Sequence, residues 1–334
     1  MEAQSIRGVR VHAYNDLDSI TIDQVPIPDL KDDQILVRIE YAPINIIDLM
    51  QALGYYNRQP LPHFFGKEGS GTVVKTGNHP YARFLLGKRV SVDSNVPGFG
   101  TYADYLVAYA SDAYPLRDSV TFEQAASLIV NPMTVAYMVE KLKQGNHTSA
   151  LINAAASGIG KMLIKWCKLL NITTVNFVRR QDQADILASI GAEHIFNTSN
   201  DGWKESAKAL TTQLGTKIGF DAISGSATQD MLDLLENDGI AYIYGALSGE
   251  PAHVSPMSLI GGDKTVKGLL LTTWLARMTN EKRVEVGYQI QDLIGSALKT
   301  DYISEVTIGE VKDALKQYAA KKTDSKFVVK IRRG

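Results

Sequence analysis

Residues 151–160 read Leu-Ile-Asn-Ala-Ala-Ala-Ser-Gly-Ile-Gly, and the segment that follows, Lys161 to Leu170, has helical spacing. A turn of small residues between a short apolar run and a helix suits a bound pyrophosphate. Backbone N–H groups can approach phosphate oxygens there without side chains in the way. The helix N-terminus adds unpaired donors and the positive end of its dipole. Small-residue turns also occur at ordinary strand–helix junctions, so the flanking pattern decides between the two readings.

That pattern is a βαβ alternation. Short apolar runs at Ala150–Asn153, Thr174–Val178, His194–Phe196, Phe220–Ile223 and Ile240–Tyr244 suit buried parallel strands. Helical segments at Gln183–Ser189, Trp203–Leu214 and Ala227–Leu235 lie among them, and two more, Phe122–Leu128 and Met133–Leu142, precede them. The alternation predicts a doubly wound parallel sheet.

The chain before Thr121 has another texture. Strand patterns at Gly8–Tyr14, Ser19–Val25 and Gln34–Glu40 are broken by Pro and Asp. From Gly69 to Val92 the pattern stays β-like, with Gly77, Pro80 and Gly87 as turns. This predicts a mostly antiparallel β domain. After Lys264 come an apolar run at Val266–Leu271, a helix over Lys282–Ala297, a short helix over Val311–Ala319 and a last strand at Phe327–Ile331. The simplest assembly returns this tail to the first domain. Residues 1–122 and 266–334 then form one domain, and residues 123–265 are inserted in it.

The 334 residues are 45% hydrophobic and 21% charged, a globular composition, and the net charge of −1 gives no basic field for nucleic acid. The single cysteine, Cys167, excludes an intrachain disulfide and a cysteine cluster for metal; in its apolar run Ile164–Leu170 it reads as a buried thiol. The six histidines are scattered, without a pair at zinc-site spacing, so no metal is expected. His63 alone lies near the candidate tyrosines described below. No apolar stretch approaches the ~20 residues of a membrane span. The start of the chain lacks the patterns of a secretory or transit segment. The cytoplasm is the expected location, or the mitochondrion for a form from which a targeting segment has been removed.

Arg179 and Arg180 follow the run Thr174–Val178, the presumed second strand of the sheet. A carboxylate at this place accepts from a free ribose 2′-hydroxyl and repels a 2′-phosphate. Guanidinium groups reverse the preference, which favours NADPH over NADH. Two solvated loop arginines are the plain alternative, and Asp182 is close enough in sequence to neutralise part of their charge. Tyr55 and Tyr56 lie in the loop-like stretch Leu53-Gly54-Tyr55-Tyr56-Asn57. A loop tyrosine near a nucleotide site can donate a proton or a hydrogen bond to an enolate; packing against the loop is the alternative.

Five stretches, taken in order, carry a resemblance that runs almost end to end. They are Ala42-Pro43-Ile44-Asn45 with Asp48; Gly66-Lys67-Glu68-Gly69-Ser70-Gly71-Thr72-Val73; Asn131-Pro132-Met133-Thr134-Val135-Ala136-Tyr137; Asn153 to Gly160; and Val266-Lys267-Gly268-Leu269-Leu270-Leu271 with Trp274. The chain resembles zinc-independent members of the medium-chain dehydrogenase/reductase superfamily, most of all the quinone oxidoreductase and mitochondrial enoyl thioester reductase branch. The resemblance implies an α/β fold: a GroES-like, mostly antiparallel β domain with an inserted Rossmann domain. In zinc-dependent relatives a histidine precedes the motif glutamate. Lys67 stands there, so the resemblance implies no catalytic zinc.

The resemblance also implies roles, residue by residue. In the enoyl reductase branch a tyrosine thirteen positions before the motif glutamate serves as proton donor or enolate stabiliser; counting back from Glu68 reaches Tyr55. Asn45 matches an asparagine near the nicotinamide. Asn131 and Thr134 match residues at the nicotinamide ribose. Ala156, Ser157, Gly158, Ile159 and Gly160 match the pyrophosphate loop, and Arg179 and Arg180 the 2′-phosphate region. Tyr244, Gly245, Ala246 and Leu247 match a loop flanking the nicotinamide. Leu269, Leu270 and Leu271 match a further backbone contact, and Lys326 a lysine near the cofactor. Ile46 replaces the family's proline after Asn45, which is expected to loosen that turn. Ser157 stands where many quinone reductases have glycine and tilts the reading toward enoyl reductases.

The expected activity is NADPH-dependent reduction of a quinone, an enone or an enoyl thioester. The alternative is a cofactor-binding scaffold or regulatory subunit without turnover, which Ile46 and Lys67 permit. Relatives pair Rossmann sheets edge to edge, so a homodimer is expected, with Ile240–Tyr244 contributing.

Overall fold

The computed structural model describes residues 4–321 and 326–331. By internal contacts the chain divides into two compact units. One comprises the residues up to Met133 and those from Met278 onward; the other is Thr134–Arg277.

The first unit begins with β1 (Ser5–Val11), β2 (Thr21–Pro26), β3 (Gln34–Pro43), α1 (Ile46–Ala52), β4 (His63–Phe64), β5 (Glu68–Thr76), α2 (Pro80–Leu85), β6 (Arg89–Asp93), β7 (Tyr105–Tyr109), β8 (Ala113–Pro115) and α3 (Phe122–Ala125). Helix α4 (Val130–Gln144) contains the boundary between the units. The second unit continues with β9 (Ser149–Ile152), α5 (Gly158–Leu169), β10 (Thr173–Val178), α6 (Gln181–Ser189), β11 (His194–Asn197), α7 (Trp203–Leu214), β12 (Ile218–Asp221), α8 (Ser226–Leu234), β13 (Ile240–Ile243), α9 (Pro256–Gly262), β14 (Thr265–Gly268) and α10 (Leu271–Leu275). The chain then returns to the first unit through α11 (Asn280–Gln291), β15 (Ser304–Thr307), α12 (Val311–Lys321) and β16 (Phe327–Lys330).

Among the described residues, the sheet of the second unit has six parallel strands in the order β11-β10-β9-β12-β13-β14. Its strands are four to six residues long, and the inner four, β10, β9, β12 and β13, are largely apolar, as strands covered on both faces are. Leu151, Val175, Phe177 and Ala241 enter a core with Met231, Leu232 and Leu235. Among the described residues of the first unit, β3 lies at the centre of a seven-stranded sheet, between β5 and β16 and also paired with β7. The tail does return: Val329 of β16 sits opposite Ala42 of β3, antiparallel. A smaller sheet, β2-β1-β4, completes this unit.

Three readings need correction. The apolar run at Val266 does not open the return to the first unit. As β14 it pairs with β13 and forms the sixth strand of the parallel sheet, so the second unit extends beyond residue 265. Pro80 does not mark a turn inside a β run. It occupies the first turn of α2, where the missing N–H costs nothing, and His79 Nδ1 accepts from Tyr81 N to cap the helix. The helix expected over Lys282–Ala297 ends at Gln291.

Candidate active site

Four of the expected nucleotide segments fall on one edge of the second unit. Its strands are parallel, so their carboxyl ends lie together. The turn Ala154–Gly160 follows β9, Arg179 and Arg180 follow β10, Tyr244–Leu247 follow β13, and Leu269–Leu271 follow β14. That edge is where open α/β sheets bind ligands.

The turn is built tightly. Ala154 takes a left-handed φ of 45°. Ala155 N donates to Phe177 O at 3.1 Å, tying the turn to β10. Ser157 is the N-cap of α5: its hydroxyl accepts from Gly160 N at 3.2 Å, and Lys161 N donates to its carbonyl at 2.9 Å. Serine here is therefore a helix cap rather than a departure from a glycine-rich turn. A Cβ on Gly160 would lie 2.3 Å from Ala155 O, so this position needs glycine for α5 to pack against its own turn. Behind the turn the strand ends are laced together. Asp221 Oδ1 accepts from Asn153 Nδ2 (2.6 Å), Ile223 N (2.8 Å) and Ser224 N (2.9 Å), Oδ2 accepts from Thr228 Oγ1 (2.6 Å), and Asn153 Oδ1 accepts from Ala222 N (2.8 Å). The loop after β13 joins in through Tyr244 N to Asp221 O and Leu247 N to Ala222 O. The Tyr244 hydroxyl is buried beside Ser157, and burial pushes its pKa up.

The two arginines differ. Arg180 is held by Asp182 through Nε–Oδ1 (3.0 Å) and Nη2–Oδ2 (3.1 Å). Arg179 exposes its side chain at the end of β10, and its backbone is fixed by N–H to Gln183 Oε1 at 3.2 Å and by Ser199 Oγ to its carbonyl at 2.8 Å. In the sheet, β13 lies between β12 and β14, so Ile240–Tyr244 cannot be a free edge; the edge strands are β11 and β14.

In the first unit the sequence places Asn45, Asn131, Lys326 and the loop tyrosines. Asn45 is 4% exposed and precedes α1. Its N–H donates to Asp48 Oδ2 at 2.7 Å, and α1 begins at Ile46. Asn45 Nδ2 donates to Glu68 Oε1 at 3.0 Å. Glu68 and Asp48 are wholly buried. Burial pushes Glu68 up to about 7 and Asp48 up to about 6, against the pull of Lys326 and of backbone N–H groups. The Lys326 amine is buried without a hydrogen-bond partner among the described residues, and burial lowers its pKa while Glu68 and Asp48 oppose the shift. Asn131 and Thr134 follow one another on the first turns of α4, with Thr134 8% exposed.

Lys67 has an ammonium that is already engaged. Nζ lies 2.8 Å from Asp93 Oδ1, donates to Asn95 Oδ1 at 2.6 Å and reaches Ser94 O at 3.4 Å. Burial disfavours this charge, but the Asp93 carboxylate outweighs it and the pKa is raised. Among the described residues, no group of three or more His, Cys, Asp or Glu side chains is placed to hold a metal ion. His63 is 1% exposed with Nδ1 2.9 Å from Phe64 O and Nε2 3.3 Å from Tyr14 Oη, a locally bonded histidine. Cys167 is buried, and burial pushes its thiol up to about 12.

The neighbouring tyrosines part company. Tyr55 is 70% exposed. Tyr56 is half-buried, and its phenol lies within electrostatic reach of Lys67. Counting from Glu68 does not reveal this, because the loop's path is set by distant groups. Gln59 N donates to Tyr14 Oη at 2.7 Å, and Gly98 N donates to Gln59 Oε1 at 2.6 Å. Glu68 and Asp48 were part of the family motif but carried no expected role. The signal was an acidic side chain among residues otherwise suited to burial, Asp48 in α1 and Glu68 at the start of β5.

Comparison with known proteins agrees with this geometry. Residues 31–118 match the alcohol dehydrogenase GroES-like domain family, and residues 158–285 match the zinc-binding dehydrogenase family. The chain is 30% identical over 328 residues to a mitochondrial enoyl-[acyl-carrier-protein] reductase of Caenorhabditis elegans, covering 95% of this chain and 91% of that one. The chain belongs to the medium-chain dehydrogenase/reductase superfamily. A second member of this superfamily, a quinone oxidoreductase of Salmonella typhimurium, is 27% identical over 286 residues, covering 84% and 85% of the two chains. The fold is also that of a mycobacterial protein solved in complex with NADPH, with TM-score 0.83, 23% identity and coverage of 98% and 100%. Within the superfamily, the chain is thus an oxidoreductase of the quinone and enoyl reductase kind.

Proposed function

We propose that this protein reduces an activated carbon–carbon double bond or a quinone with NADPH and without zinc. One observation carries the cofactor choice: Arg179, exposed at the carboxyl end of β10 beside the capped turn Ala154–Gly160, where an NADH site would carry an acid. The fit is local and physical. The turn offers the N-terminal N–H groups of α5, and small residues leave the backbone approachable. Tyr244–Leu247, Leu269–Leu271, Asn131, Thr134 and Lys326 complete the set assigned to the nucleotide. The relatives' names support the substrate classes, and the mycobacterial structure supports NADPH.

When bound, the nicotinamide supplies a hydride. The chain's own residues handle charge and the proton. Reduction of an enone or enoyl thioester builds negative charge on the carbonyl oxygen. Asn45, pinned by Glu68, is a fixed polar group for that region. The loop tyrosines are the proton donors we assign, Tyr56 ahead of Tyr55, because the Lys67 ammonium near Tyr56 stabilises negative charge developing beside it. The engaged Lys67 amine, in place of a ligand histidine, supports the zinc-free reading. We also propose a homodimer formed along the free edge of β14, next to the exposed Met257 and Ile260 of α9.

The deciding assay offers NADPH with a quinone and with a trans-2-enoyl thioester side by side. Oxidation with either is expected. Replacing Tyr56→Phe should lower enoyl turnover about a hundredfold while nucleotide binding persists, and Tyr55→Phe should change it by less than about threefold. Tight NADPH binding with no oxidation by either substrate would favour a scaffold instead.

A further inference from the structure

Glu68 opens β5 and is 0% exposed. Its two oxygens receive three donors: Asn45 Nδ2 on Oε1 at 3.0 Å, and Ile129 N and Val130 N on Oε2 at 2.8 and 2.9 Å. Val130 is the first residue of α4, the helix that carries Asn131 and Thr134. One side chain therefore fixes both the Asn45 amide and the start of α4. Oε2 faces two backbone N–H groups and must accept. A protonated carboxyl or an amide therefore carries its donor on the Oε1 side, where it meets Asn45 Nδ2 and displaces or turns that amide. The Lys326 amine, buried and unpartnered among the described residues, lies within electrostatic reach of Glu68 and Asp48.

We propose that Glu68 is a positioning residue of the reductase site, its ionised carboxylate holding Asn45 and the first turn of α4 in one arrangement, with Lys326 keeping that carboxylate ionised. The proposal rests on the reading of this region as the cofactor and substrate site. It has a consequence for pH. Burial brings Glu68 up to about 7, so the proton arrives near neutrality and loosens the arrangement below it. The charged and titratable groups facing Glu68 are Lys326, Asp48, Tyr102 and Tyr302. Burial raises both phenols, which stay neutral over this range, and Asp48 titrates lower, at about 6.

The test measures NADPH affinity by nicotinamide fluorescence, and melting temperature, across the acidic to mildly alkaline range. The variants are Glu68→Gln and Lys326→Met. In the wild type, affinity should fall toward acid with a midpoint near 7. Glu68→Gln should weaken binding about tenfold at alkaline pH and flatten the acid limb. Lys326→Met should move the midpoint to higher pH, because the carboxylate loses its cation. A limb that keeps its midpoint near 7 in Glu68→Gln, beyond the one near 6 that Asp48 and the phosphate's own proton leave, or a midpoint that Lys326→Met leaves in place or moves to lower pH, would overturn the proposal. If the wild type binds no NADPH at any pH, the nucleotide reading fails instead, and the melts decide. A carboxylate raised from 4.5 to about 7 on folding makes the native state the better proton binder between those values. Its contribution to stability therefore falls as pH rises through that window. Glu68→Gln should remove Glu68's share of this slope, leaving the share of Asp48 and Asp112, which burial raises to about 6; an unchanged slope counts against the proposal. Should Glu68→Gln fail to fold, the direction of the Lys326→Met midpoint in the melts still decides.

Discussion

Arg179 and Arg180 are neighbours with different prospects for a 2′-phosphate. Arg180 is joined to Asp182 through two N–H bonds, and this contact also holds the Asp182 carboxyl below its usual range. Both partners are solvent-exposed, so the pair adds little to stability, yet a phosphate must still compete with it. Arg179 is exposed and its backbone is anchored. We expect Arg179→Ala to weaken NADPH by about 10- to 100-fold, the worth of a charge-assisted phosphate contact, and to leave NADH unchanged. Arg180→Ala should have the smaller effect. Equal losses of NADPH and NADH, measured by fluorescence titration, would end the 2′-phosphate assignment. The basic pair was legible in the sequence because charge at the end of β10 depends only on residue type and strand position. The distinction between Tyr55 and Tyr56 was not legible. It depends on how Tyr14 and Gln59 fold the loop back, and those contacts span 45 residues in the case of Tyr14 and Gln59.

At the scale of elements, the parallel strands were legible because each is a short apolar run bounded by polar turns. Their ends were less so. The fourth run reads as Phe220–Ile223, whereas β12 is Ile218–Asp221. Asp221 stops the strand by drawing the N–H groups of Ile223 and Ser224 onto its own carboxylate, an exchange that apolar periodicity does not reveal. The same carboxylate also receives Asn153 and Thr228, so it fastens the end of β9, the end of β12 and the first turn of α8 behind the nucleotide turn. Asp221→Ala would leave four donors without their acceptor in a buried place. We expect a loss of about 3 kcal/mol or more. For a unit of this size that lowers Tm by about 6–12 °C. Calorimetry of the two proteins checks it, and a change under ~1 kcal/mol would mean that the strand ends find other partners.

At the scale of the whole chain, the inserted topology was legible because β16 is a second, distant apolar strand with no partner in the βαβ pattern. The point where the second unit ends was not, since β14 looks the same whether it extends a parallel sheet or begins the return. Its true place leaves it on an edge, paired among the described residues with β13 alone. Thr265 N and Leu269 N donate toward β13 at Gly239 O and Ile243 O. By the alternation of a strand, the N–H groups of Val266 and Gly268 point outward, where a second copy can pair with them. Gly268 has open space around its missing Cβ, and Gly268→Pro removes an outward donor rather than a bond to β13. Light scattering should give twice the chain mass for the wild type and the chain mass for Gly268→Pro, with the parallel sheet intact by circular dichroism. A wild-type monomer at micromolar concentration would remove the dimer, and an unaffected dimer in the variant would move its contact away from β14.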